Sequence, residues 1–127
     1  MFDIRPYQFL EWEAGHFCCG DYVALVLRDY LGATLPEADY QGGAFEAARV
    51  LANYSARNHF RRIEKPTEFS VVEMQRFRAA DHVGVCVLVD GQLKITHCEN
   101  GSGVLITSFD DIQLHYKILA FYEYCPV

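Results

Sequence analysis

Between Cys19 and Leu31 the apolar pairs Tyr22/Val23, Val26/Leu27 and Tyr30/Leu31 recur at helical spacing. This periodicity predicts an amphipathic helix of about three turns. Gly32 stands directly after its last periodic residue and Pro36 shortly beyond, the usual stop signals. Phe45, Ala48 and Leu51 share a face in a second predicted helix, from Ala44 to Asn53. The basic stretch RNHFRRIEKP reads as an exposed connection, with the seam between two halves of the chain running from Asn58 to Thr67.

From Phe69 the period changes. Val71, Val72 and Met74 predict a strand, and HVGVCVLV from His82 to Val89 alternates over eight residues. Asp90-Gly91 is a strong two-residue hairpin signal, and Gln92 to Cys98 is the expected partner strand. Gly101-Ser102-Gly103 turns into a strand from Val104 to Thr107, Asp110 to His115 forms a short turn or helix, and Tyr116 to Tyr124 closes the chain as a last strand. Helices followed by an antiparallel meander make the expected class α+β.

The hairpin fixes a register. If Val89 faces Gln92, then Gly84 lies opposite His97 and His82 opposite Glu99. Opposed residues share a face, so His82, Gly84, Cys86, Leu93, Ile95 and His97 project to one side, with the two histidines as diagonal neighbours. Gly84 leaves space beside them.

Composition narrows the class. With 127 residues, 51% of them hydrophobic, the chain is expected to fold as one domain over 1–127. A net charge of -6 argues against a nucleic-acid partner, which calls for a basic surface. No apolar run is long enough for a membrane span, and the opening MFDIRPYQFLEWE has no secretory leader, so synthesis in the cytoplasm is expected. The cysteines are Cys18, Cys19, Cys86, Cys98 and Cys125, an odd number with two adjacent, which disfavours a disulfide framework.

One group of residues could do chemistry. A thiol at a helix N-terminus is favoured as thiolate by unpaired N–H groups and the helix dipole, and Cys18 and Cys19 both stand there. If the helix packs against the face bearing His82 and His97, then nucleophile, base and orienting group fall in line. Taken singly, each residue also fits a structural role: buried thiols, a hydrogen-bonded histidine at a strand end. A zinc site from Cys18 or Cys19, His82, His97 and Cys98 is disfavoured, because adjacent cysteines present both sulfurs poorly and Cys98 points to the face opposite His97. No metal ligand and no cofactor is therefore expected.

These residues also carry a family resemblance. Phe17-Cys18-Cys19-Gly20-Asp21-Tyr22-Val23, then Asp29-Tyr30-Leu31-Gly32 and Leu35-Pro36, followed by His82-Val83-Gly84-Val85-Cys86-Val87, Ile95-Thr96-His97 and Gly101-Ser102-Gly103-Val104, together resemble the NlpC/P60 papain-like cysteine peptidases, particularly those of phage and prophage tails. The resemblance implies a papain-like fold, with N-terminal helices on a central antiparallel sheet. It implies Cys19 as nucleophile, His82 as base and His97 as orienting residue, and it sets Tyr7 near the oxyanion. It further implies hydrolysis of D-glutamyl–diamino acid bonds in peptidoglycan stem peptides, with tail proteins as partners and a place in a virion or tail. The sequence departs from the family pattern in having Cys18 before the nucleophile, Gly20-Asp21 after it and Phe69-Ser70 at the first core strand. An inactive structural component of a tail or similar complex is the alternative.

Overall fold

The structure is a computed structural model, and it describes residues 1–13, 17–34, 59–77 and 82–125. The predicted helix from Ala44 to Asn53 lies outside these residues. Helix α1 spans Cys19–Leu31, as its apolar spacing predicts, and Gly32 closes it in the left-handed conformation (φ 65°) with its N–H on the Arg28 and Leu27 carbonyls. A short helix α2, Phe109–Ile112, is capped by the Ser108 hydroxyl, which accepts the Asp111 N–H.

Among the described residues six strands form one antiparallel sheet: β1 (Phe60–Ile63), β2 (Val71–Gln75), β3 (His82–Val89), β4 (Gln92–Glu99), β5 (Gly103–Thr107) and β6 (Lys117–Tyr124). Their order is β1-β6-β2-β3-β4-β5. The molecule is therefore α+β. The meander holds from β2 to β5, but β6 crosses back to pair with β2, and β1 lies outside it.

Strand β1 corrects the exposed-connection reading of RNHFRRIEKP. Arg61 and Arg62 are exposed between half-buried Phe60 and Ile63, so no alternation marks the segment as a strand. It forms because β6 offers an edge, where the Arg61 guanidinium reaches Glu123 directly across the ladder at 2.7 Å.

The β3–β4 register is the one the turn dictates, from Val89↔Gln92 to Val85↔Thr96. Asp90 and Gly91 both have positive φ (51° and 79°), which the two-residue turn requires. At Gly84 a Cβ would lie 2.7 Å from Ile95 Cγ2 and 3.3 Å from His97 Cβ. Glycine is thus what lets β4 close on β3 beside the histidine.

The sheet separates two cores. Val83, Val85, Val87 and Cys98 pack with Cys19, Tyr22, Val23, Val26 and Leu27 of α1. On the other face Val72, Met74, Cys86 and Ile95 pack with Ile112 and Tyr116. Before β2, Phe69 adopts a left-handed backbone (φ 64°), stacks on Tyr30 at 4.9 Å and donates its N–H to the Cys86 carbonyl.

No helix among the described residues is long and apolar enough to cross a membrane.

Candidate active site

The two histidines meet as the hairpin register requires. His82 Nε2 and His97 Nδ1 are 2.9 Å apart, and His97 Nε2 is 2.9 Å from the Thr107 hydroxyl. The His82 ring lies flat on Tyr116, with centroids 4.6 Å apart. The Tyr116 hydroxyl donates to Glu99 at 3.0 Å. His82 and His97 are 6% and 1% exposed, and that degree of burial decides their charge. Desolvation is the main cause that pushes His82 down to about 3 and His97 to about 4, so both rings are neutral at pH 7.

Neutrality fixes the proton arrangement. If His82 Nε2–H donates to His97 Nδ1, then His97 Nε2–H donates to Thr107, and His82 Nδ1 keeps a free lone pair. The reverse arrangement leaves a buried N–H on His82 Nδ1 with no hydrogen-bond partner among the described residues, at a cost of about 1–3 kcal/mol. Among the described residues the first arrangement is the one that pairs every ring N–H, and in it His82 Nδ1 is a proton acceptor with His97 and Thr107 behind the ring.

The thiols are arranged differently from what the helix-start argument implies. Cys18 is the N-cap: its backbone is extended, its side chain accepts the N–H of Asp21, and the Asp21 carboxylate accepts the Cys18 N–H at 2.9 Å. The Cys18 thiol is pushed down, first by a hydrogen bond from Cys19 and then by the Asp21 and Gly20 N–H groups. Cys19, the first helical residue, is pushed well up, because it gives its proton to Cys18 and is fully buried. Both sulfurs accept backbone N–H groups, so the opposite directions follow from the Cys19-to-Cys18 hydrogen bond and the burial of Cys19.

The expected face for α1 is also corrected. Along β3 the side chains alternate, so Val83 faces α1 and His82 faces Tyr116. The packed cores put Cys19 on the valine side, and the partners of His82 lie on the other. Cys19 still lies close to β3, since its sulfur accepts the N–H of Val83, the residue after His82. No hydrogen bond joins Cys19 to His82 among the described residues. Of the three expected site residues, the structure brings together His82 and His97 and leaves Cys19 beside the neighbouring backbone.

Tyr7 is committed elsewhere. Its hydroxyl donates to Asp29 at 2.7 Å, and its ring meets Tyr22 edge-on. Asp29 lies ten residues along α1 from Cys19, about 15 Å at the helical rise, so Tyr7 serves the core and not an oxyanion. Cys98 lies on the α1 face, and burial pushes its thiol up to about 12.

Thr107 and Tyr116 escaped the sequence reading as partners of the imidazoles, whereas the hairpin register already set Glu99 opposite His82. The β4–β5 register pairs Ile95 with Thr107 and His97 with Leu105, which makes Thr107 the diagonal neighbour of His97 on the same face. The Gly101-Ser102-Gly103 turn carried that register. Nothing local places Tyr116.

No protein-family model matches the chain, and no curated protein matches it either. The resemblance to the NlpC/P60 peptidases rests on the motifs quoted above.

Proposed function

We propose that this protein is a cysteine hydrolase of papain-like topology that cleaves amide bonds in bacterial cell-wall stem peptides, with Cys19 as nucleophile, His82 as base and His97 as orienting residue. The observation that supports it most is the buried chain His82–His97–Thr107, in which one tautomer leaves His82 Nδ1 as an acceptor. A core needs no such relay, and a thiol–imidazole hydrolase does. The Cys19 sulfur at the Val83 N–H keeps the thiol one residue from the base. In turnover the thiol proton passes to His82 Nδ1 and the sulfur attacks the stem-peptide carbonyl. The amine leaves with a proton from His82, and water activated by the same nitrogen hydrolyses the acyl-enzyme. The reading requires Cys19 and His82, which lie on opposite faces of β3 in the free protein, to meet in the substrate complex. The bond type and a place in a phage or prophage tail come from the resemblance alone.

A scaffold in a tail or similar complex is the second reading. It is favoured by Cys19 being 2% exposed, protonated and not bonded to His82.

The test is to incubate purified muropeptides with the wild type, Cys19→Ala and Cys18→Ala, each checked for folding by thermal melt. New free amines are read by mass spectrometry. The expected outcome is cleavage by the wild type and by Cys18→Ala, with none by Cys19→Ala. Loss only in Cys18→Ala moves the nucleophile to the N-cap. No cleavage by any of the three establishes the scaffold.

A further inference from the structure

We propose that His82, His97 and Glu99 form a three-donor site for a divalent ion of the zinc type. One ligating atom from each of these residues lies within 4.8 Å of the other two. His82 Nε2 and His97 Nδ1 are 2.9 Å apart, and Glu99 Oε2 is 4.0 Å from His97 Nδ1. A tetrahedral zinc with bonds of about 2.0–2.1 Å sets its donors roughly 3.3 Å apart. The rings therefore need to part by a few tenths of an ångström, and the carboxylate needs to swing inward by about an ångström. Two imidazoles and a carboxylate suit such an ion, and they leave its fourth position open.

The partners around the donors resemble those that hold metal ligands. His97 presents its other nitrogen to Thr107 at 2.9 Å, and Tyr116 holds the Glu99 carboxylate at 3.0 Å. Such contacts orient a ring and a carboxylate for coordination. The Glu99 side chain is 26% exposed, which gives an ion a way in beside otherwise buried rings. Arg76, its guanidinium 5.8 Å from the centre of the Tyr116 ring, is the opposing charge: it is exposed, yet it helps push His82 down and hydrogen-bonds Tyr116. The ligand set differs from the sulfur-containing one set aside from the sequence, because Cys18, Cys19 and Cys98 lie on the other face of the sheet. It uses Glu99, which shares the imidazole face.

Where the hydrolase reading holds, the ion is an inhibitor. Binding at Nε2 requires the His82 ring proton to move from Nε2 to Nδ1, so the base loses its accepting nitrogen. That consequence rests on the hydrolase reading, whereas the site itself does not.

The test titrates the reduced full chain with Co²⁺ and follows visible absorption. The expected result is one equivalent bound, with visible d–d bands and no thiolate-to-cobalt charge-transfer band in the near ultraviolet. Glu99→Gln should weaken binding roughly tenfold or more, and Thr107→Val should weaken it to a similar degree, as partners of metal ligands do. Cys18→Ser should leave the spectrum and affinity unchanged. Absence of saturable binding, a thiolate band, or unchanged affinity in a folded Glu99→Gln overturns the site. Zn²⁺ added to the muropeptide assay separates the two readings. Co²⁺ binding as expected, with no cleavage by the metal-free protein, upholds the site and overturns the hydrolase.

Discussion

The two faces of the sheet are built on different terms. The α1 face is valine and thiol: Val83, Val85, Val87 and Cys98 close on Val23, Val26 and Leu27 with almost no exposed surface. In its middle the Tyr22 hydroxyl bonds Thr96, which in turn donates to the Leu105 carbonyl. The opposite face is smaller, and at its end it carries two imidazoles, a phenol, a hydroxyl and a carboxylate joined by hydrogen bonds. One face stores stability. The other holds two imidazoles that burial keeps uncharged beside a carboxylate, and it is the face where acid acts against folding.

Three measurements bear on that contrast. Leu27→Ala removes a fully buried side chain from the α1 face and should cost about 3 kcal/mol in urea unfolding. The loss should be the same at pH 7 and pH 5, because no histidine among the described residues packs in that core. A loss that changes with pH would mean that the faces are coupled.

Acidification should act on the imidazole face. Folding holds His82 and His97 at about 3 and about 4, below the ordinary value of 6.5. Below pH 6.5 the unfolded chain takes up protons that the folded rings refuse. Stability is then full above that pH and falls steadily down to about pH 4–3, where the rings themselves become charged. Between pH 7 and pH 5 the loss is about 1–2 kcal/mol per ring. His97→Gln should remove roughly half of that slope. An unchanged slope would place the proton uptake elsewhere.

The smallest expected effect is that of Thr107→Val. Deleting the partner of His97 Nε2 should cost about 1 kcal/mol of stability. Thr107→Ser should restore it. A loss that serine leaves in place would point to packing by the methyl group.

How much of this was legible in the sequence follows from how local each signal is. Helix α1 runs over the residues its spacing marks, with Gly32 at its end. The Asp90-Gly91 turn fixed a register that brought His82 and His97 together from fifteen residues apart. The side on which α1 packs was not legible, because β3 is apolar on both faces: valines alternate with Gly84, Cys86 and Leu88. Nor was it legible which thiol is pushed down and which up, since the sequence does not show which of Cys18 and Cys19 caps the helix. Strand β1 and the return of β6 depend on partners far away in the chain. The papain-like topology, the substrate and any tail partner belong to the proposal.

Phe69 has a mechanical consequence. Its unusual backbone joins three parts: its ring rests on Tyr30, whose hydroxyl accepts the Asp3 N–H, and its amide is anchored to the carbonyl of Cys86. The last turn of α1, the N-terminal segment and the strand bearing His82 are thereby pinned at one point. Helix α1 and strand β3, already packed through the valine face, are thus tied a second time through a single residue of the segment before β2.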